Sequence, residues 1–245
     1  MENVIYVKGL TKIYNKYNEN QKLAIDNIHL EIKKGDFVSI MGPSGSGKTT
    51  LLNILSTIES YDMGNIQILD IDINLATEKE KAKLREESIG YIFQNYNLLD
   101  SLTIKENICF SNNLNKKKVD EDYLNQILNQ LNITNIANKY PFECSGGEQQ
   151  RVAIARVMMQ QPSIIFADEP TGNLDSNNSN EIMNYLTKLN KNSVTIIMVT
   201  HDCKMASFAN RVFYIADGKI NKVINKDKKS QDEFYKLIVN ENTDL

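Results

Sequence analysis

Phe37-Val38-Ser39-Ile40-Met41-Gly42-Pro43-Ser44-Gly45-Ser46-Gly47-Lys48-Thr49-Thr50-Leu51-Leu52-Asn53-Ile54-Leu55 reads as a short apolar strand, a glycine-rich turn and a helix. Residues 42–49 fit G-x-x-x-x-G-K-[ST] in the strand-to-helix setting that the motif's mechanism requires. Amides of such a loop and of the helix N-terminus point at phosphate oxygens. A lysine at position 48 supplies a point charge to the β- and γ-phosphates, and a hydroxyl at Thr49 ligates Mg²⁺. A chance glycine-rich turn is the alternative, set aside because all eight positions match in the right setting.

Upstream of this unit, residues 4–7 and 24–32 alternate apolar and polar as antiparallel strands do, with a polar loop at 15–21 between them. Downstream, 66–73 alternates as one strand, 78–87 is a charged exposed helix and 89–93 a buried strand. From 95 to 141 no β-branched run survives, and Tyr123, Leu124, Ile127, Leu128 and Leu131 recur at helical intervals, which predicts a mainly helical insertion. Two strongly apolar strands follow, 163–167 and 194–199, with a helix over 179–189 between them, and a last helix includes 234–238. Near-continuous apolar strands joined by helices form a parallel sheet covered on both faces. The expectation is one α/β domain over 1–245, with a helical subdomain at about 95–160 inserted in the nucleotide-binding core.

Composition narrows the classes. The chain has 245 residues, 41% hydrophobic and 24% charged, with Gly 11 and Pro 4, which excludes disorder, collagen and coiled coil. No apolar run approaches the roughly 20 residues of a membrane helix, and Met1-Glu2-Asn3-Val4 does not begin a signal peptide, so the chain itself is expected to be cytosolic. Lys+Arg 28 against Asp+Glu 31 leaves -3, with no bulk positive field for nucleic acid or anionic lipid. Cys109, Cys144 and Cys203 are too scattered for a disulfide framework, and His29 and His201 too few for a histidine-rich metal site.

Two further segments carry chemistry. Ile164-Ile165-Phe166-Ala167-Asp168-Glu169 is a buried strand ending in two carboxylates, where Asp168 can hold a Mg²⁺ shell and Glu169 can polarise water at the γ-phosphate. Cys144-Ser145-Gly146-Gly147-Glu148 precedes Gln149-Gln150-Arg151-Val152-Ala153 and offers a hydroxyl, two glycines and a helix N-terminus, a second phosphate nest. One chain rarely uses two such nests for one nucleotide.

With these motifs in this order, the chain resembles the ATP-binding cassette (ABC) family over nearly its whole length. The resemblance implies a RecA-like parallel sheet core with an N-terminal antiparallel β subdomain and an inserted helical subdomain. It implies hydrolysis of ATP with Mg²⁺ in an ATP-dependent head-to-tail homodimer. Gly42, Pro43, Ser44, Gly45, Ser46, Gly47, Lys48, Thr49 and Thr50 then hold the phosphates, and Tyr14 stacks on adenine, with Tyr17 a second candidate. Gln94 in Phe93-Gln94-Asn95 matches the Q-loop and reaches Mg²⁺ or water; His201 in Thr200-His201-Asp202 holds the γ-phosphate and positions Glu169. Ser145, Gly146, Gly147 and Glu148 face the γ-phosphate bound to the opposite subunit, and Asp175 crosses the dimer interface. Cys144 and Glu148 replace the usual Leu and Gln of the signature, and Asn210 stands where Asp is usual.

The same resemblance implies a transmembrane permease as partner, no nucleic acid, and a peripheral place on the inner face of the cell membrane. Glu169-Pro170-Thr171-Gly172-Asn173-Leu174-Asp175-Ser176 and Lys105-Glu106-Asn107-Ile108 resemble the branch of macrolide-export, lipoprotein-release and antimicrobial-peptide ATPases. Arg211-Val212-Phe213-Tyr214-Ile215 and Phe234-Tyr235 are similar to bacitracin-type resistance ATPases, whose partners extend to a sensor histidine kinase. The alternatives are a lipoprotein-release or macrolide-export ATPase, a cell-division ATPase that transports nothing, and a soluble regulator.

Overall fold

Strand β3 (Phe37–Met41) is buried at every residue, which requires a neighbour on both edges and cover on both faces. The computed structural model describes residues 2–16, 20–115 and 117–243. In it, β3 lies between β8 (Thr195–Val199) and β9 (Arg211–Ala216), parallel to both. The sheet runs on through β7 (Ile164–Asp168) to β6 (Ile89–Ile92), again parallel. Its other edge is β10 (Lys219–Asn225), antiparallel to β9. The parallel sheet expected from the sequence thus gains one antiparallel edge strand. The cause is local: Asp217 and Gly218, at φ 50 and φ 75, form a two-residue turn that folds β10 back.

Side chains of the central strands alternate between two apolar layers. Phe37, Ile165, Ile196 and Met198 face a cluster shared with α3 (Ile104–Ile108), α5 (Glu121–Gln130) and α6 (Gly146–Gln160), three of the helices between β6 and β7; a fourth, α4 (Phe110–Leu114), has no buried residue. α7 (Ser176–Lys191) joins that layer through Ile182, Met183 and Leu186. Val38, Ile40, Phe166 and Val199 face the other layer, formed by α1 (Lys48–Leu55) and an antiparallel sheet. That sheet has the order β2-β1-β4-β5, from β1 (Asn3–Tyr14), β2 (Lys22–Lys33), β4 (Met63–Ile68) and β5 (Ile71–Asp72).

The single strand expected over 66–73 is a hairpin instead. Leu69 takes φ 53 and the chain reverses there. The inward isoleucines change parity across the turn, from buried 66 and 68 to half-buried 71 and buried 73, so the period-2 pattern breaks where the backbone does. α2 (Glu78–Glu87), α8 (Cys203–Ala206) and α9 (Gln231–Thr243) complete the elements used below, with Phe234 of α9 fully buried against Ala206 and Val212. No helix among the described residues is long and apolar enough to cross a membrane.

Candidate nucleotide-binding and catalytic site

The loop after β3 is glycine-dependent for two separate reasons. Gly42 and Gly47 have φ 149 and φ 101, and a Cβ on them would lie 1.9 Å from the Ile215 carbonyl oxygen and 2.4 Å from that of Ala24. Pro43, Ser44 and Gly45 form the exposed crown of the turn. Lys48 leads α1, and its Nζ donates to the Gly42 and Pro43 carbonyls at 2.9 and 2.8 Å, so the ammonium sits inside the loop curve. Burial pushes its pKa down, against the opposing pull of Glu169 and Asp168. Ser46 Oγ is buried without a partner among the described residues, an open polar position in a cradle of amides, as a phosphate oxygen needs.

α1 and β7 converge at their ends. Thr49 Oγ1 donates to Asp168 Oδ1 at 3.2 Å. Burial drives the Asp168 carboxyl above its ordinary range, and the Thr49 bond and Lys48 only partly counter it. A hard divalent cation suits this hydroxyl–carboxylate pair, and Mg²⁺ is held by one or two protein oxygens plus substrate phosphates. The described residues contain no group of three or more His, Cys, Asp or Glu that would hold a metal by itself, in keeping with that mode.

Glu169 follows at φ 43, a left-handed backbone that costs a non-glycine residue about 1–3 kcal/mol. Its amide donates to the Val199 carbonyl at 3.0 Å, and its Oε1 lies 3.1 Å from His201 Nδ1. A Cβ on Gly172 would lie 3.2 Å from both Gln94 Nε2 and Glu169 Oε2, so Gln94, Glu169 and His201 gather around one point. A cavity of ≈ 200 Å³ opens beside them, lined in part by Glu169, Thr200, His201 and Lys204. The Gln94 backbone is tied to the loop after β7, because Asn173 Nδ2 donates to its carbonyl at 3.1 Å.

Tyr14 ends β1 beside α1, its hydroxyl 3.3 Å from Thr50 Oγ1. The Lys12 ammonium lies 5.1 Å from the Tyr14 ring centroid and is itself fixed by Glu59 at 3.2 Å. Tyr17 lies outside the described residues.

The second nest is built elsewhere. Ser145 caps α6, and the Glu148 carboxylate accepts from Ser145 N at 2.8 Å and Oγ at 2.7 Å. These bonds hold Glu148 below the usual carboxylate range. Glu148 therefore takes part in the cap of α6, at the N-terminal end of the nest. Cys144 is buried with its thiol toward the Tyr140 carbonyl, as a small apolar residue would pack. Gly147 is pressed onto Asn178, whose Oδ1 would meet a Cβ at 2.5 Å. Asn178 in turn donates to Asp175 Oδ2 at 2.6 Å, so Asp175 caps α7 within its own chain. Among the described residues no hydrogen bond joins 145–148 to 42–50. Asn210 contributes its backbone amide to the Phe37 carbonyl at 2.7 Å, with its side chain exposed.

Two residues of this region escape a reading of the sequence. Arg156 donates to the carbonyls of Asn97 and Tyr96 and so pins the segment after Gln94 to α6. Gln150 is fully buried and donates to the Pro170 carbonyl at 2.8 Å. Both look like ordinary polar residues of an amphipathic helix until the packing is known. A cavity of ≈ 620 Å³ is remote from all of this: Lys34, Ser163 and Val194 in its wall precede the core strands, whereas the glycine loop follows β3.

Residues 25–172 match the family model described as ABC transporter. The bacitracin export ATP-binding protein of Halalkalibacterium halodurans is 44% identical over 234 residues, 94% of this chain and 92% of that protein. A macrolide export ATP-binding/permease protein of Campylobacter jejuni is 41% identical over 230 residues, which are 93% of this chain and 35% of that protein. Among solved structures, a dimeric ATP-binding cassette in a post-hydrolysis state bound to ADP and Pi superposes with TM-score 0.83 at 38% identity, covering 90% of this chain and 98% of that one.

Proposed function

The chain belongs to the ABC transporter family as an ATP-binding, ATP-hydrolysing subunit, and on that premise we propose that it drives removal of antimicrobial peptides through a permease on a separate chain. The observation that carries this reading is the 44% identity, over 94% of the chain, with the bacitracin export ATP-binding protein. ABC cassettes act as dimers with a transmembrane permease. The peripheral position at the inner membrane face, the permease as a distinct chain and a sensor histidine kinase as third partner are part of the proposal.

Each site residue has a proposed role. The amides of 42–49, the Lys48 ammonium and the unpartnered Ser46 hydroxyl take the phosphates, and Tyr14 takes the adenine. Thr49 and Asp168 hold Mg²⁺, with Gln94 completing its surroundings. When bound, Mg²⁺ neutralises charge on the phosphates. Water attacks the γ-phosphorus, the bond to the ADP oxygen breaks, and a Glu169 carboxylate oxygen takes the proton from water. His201, 3.1 Å from that carboxylate, fixes its direction and faces the γ-phosphate. Ser145, Gly146 and Gly147 close on the nucleotide of a second copy, with Asp175 at the same interface.

The helical segment at about 95–160 is the proposed route to the permease. A cavity of ≈ 280 Å³ between β6, α4 and α6 has Phe93 in its wall, one residue before Gln94, together with Phe110 and Arg156. A permease segment seated there is joined to Gln94 by the main chain itself.

Deleting the gene in its host is expected to raise sensitivity to bacitracin, restored by the wild type and not by Glu169→Gln. Tagged Glu169→Gln, purified from ATP-treated membranes, is expected to bring a permease with it. Unchanged bacitracin sensitivity with heightened macrolide sensitivity would move the reading to macrolide export, which the 41% identity to the Campylobacter jejuni protein favours next. Recovery of soluble or ribosomal partners alone would replace transport with a regulatory role.

A further inference from the structure

Glu169 is held in a conformation that its neighbour resists. It takes φ 43 and precedes Pro170, whose ring disfavours any helical backbone in the residue before it. The strain must be offset by fixed contacts on either side. On the near side the Glu169 amide donates to Val199 O and its carbonyl accepts from Gly172 N, both at 3.0 Å. Pro170 has no N–H to give, so its carbonyl is the remaining handle, and that handle is taken by Gln150 Nε2 at 2.8 Å.

Gln150 is an odd choice for stability. It is fully buried, and its Oε1 has no hydrogen-bond partner among the described residues. A buried acceptor left unpaired is a net cost, and a methionine would fill the same space without it. The side chain belongs to α6, whose N-terminus is the second phosphate nest, only five residues before it. The same helix is fixed to α7 by Arg151, which donates to Asn178 Oδ1 at 3.3 Å and pairs with Glu181 at 3.2 Å. A displacement of the nest is therefore carried by a stiff helix to the Pro170 carbonyl and to the Glu169 carboxylate.

We infer that Gln150 is a positioning residue for hydrolysis: it holds the Glu169-Pro170 backbone from the helix that closes on a second copy's nucleotide, so that closure of the nest sets the Glu169 carboxylate of the same chain. This rests on the reading of Glu169 as the acceptor of the water's proton, and Glu169→Gln, expected to be inactive, tests that reading by itself.

The experiment is a double-mutant cycle on the full chain with ATP as probe. Gln150→Met is expected to lower kcat by about tenfold or more, with KM for ATP unchanged and the thermal midpoint little changed, because the unpaired Oε1 it removes offsets the Pro170 carbonyl it leaves without a donor. In a Glu169→Gln background the same change is expected to leave residual hydrolysis where it was, because both act at one point. ATP-driven dimers of the double variant are expected to form as for Glu169→Gln alone. Wild-type turnover by Gln150→Met beside an inactive Glu169→Gln would overturn the inference and leave the Glu169 reading standing. A fall in kcat matched by loss of the thermal midpoint, or an equal further fall in the Glu169→Gln background, would reduce Gln150 to a packing residue. A fully active Glu169→Gln would remove the premise for both.

Discussion

Lys48 is a buried charge and Asp168 a half-buried one, both poised for a ligand more than for the fold. Burial raises the Asp168 pKa and lowers that of Lys48, in each case outweighing the attraction of nearby opposite charges. For a carboxyl whose folded pKa is raised, the stability contribution is present at low pH and lost as pH rises through the folded pKa. Ionised Asp168 thus weakens the nucleotide-free protein at neutral pH. Asp168→Asn keeps an acceptor for Thr49 and removes the charge. It is expected to raise the thermal midpoint at about pH 8, by a margin that shrinks toward pH 4, while ATP hydrolysis falls by about a hundredfold or more. A lower midpoint at the higher pH would show that the charge is not penalised. Lys48→Ala removes the point charge from the glycine loop, and ATP affinity by equilibrium titration is expected to drop at least about tenfold. Unchanged affinity would contradict the assignment of residues 42–49.

Helix starts form a second, collective pH dependence. The carboxylates of Glu80, Glu106, Glu148 and Glu233 each accept bonds from a Thr or Ser three residues earlier, and each is held below its ordinary pKa chiefly by those bonds. Depressed carboxyl pKa values give stability that is present above the unfolded pKa and lost as pH falls through the folded one. Acidification is expected to loosen the N-termini of α2, α3, α6 and α9 together, seen as faster amide exchange there than in β3, β7 and β8. Ser145→Ala should cost about 1 kcal/mol of stability in denaturant unfolding, the worth of a helix cap. These boxes are legible as S/T-x-x-E in the sequence, as are the Asp217-Gly218 turn and the parity change between Ile68 and Ile71. The glycine loop, the apolar strands and the carboxylate pair are legible too, because local spacing specifies them. Gln150 is not: in Glu148-Gln149-Gln150-Arg151 three similar residues follow one rotation of a helix, and only packing against Pro170, twenty residues away, buries one of them. The left-handed backbone of Glu169 is equally silent, since its cause is tertiary.

At the scale of the whole molecule, the two phosphate nests set a symmetry problem. The glycine loop and the Ser145 nest share no hydrogen bond among the described residues. A two-fold dimer uses the same patch on both copies, so on the proposed function, in which the nest closes on the second copy's nucleotide, two equivalent composite sites result. Ser145→Arg, which places a large cation at the nest, and Lys48→Ala, which disables the loop, are each expected to abolish hydrolysis when alone, since every composite site then contains one defect. Mixed in equal amounts they give heterodimers in which both defects fall in one composite site and the other is intact. Half of the dimers then carry one of two working sites, so activity of about a quarter of wild type is expected on mixing two inactive proteins. If the nest instead served the loop of its own chain, every heterodimer site would still contain a defect, and mixing would restore nothing. The same mixture in a Glu169→Gln background, read by size-exclusion chromatography with ATP, separates assembly from turnover: ATP-driven dimers that appear only on mixing place the nest across the interface whether or not a single intact site hydrolyses.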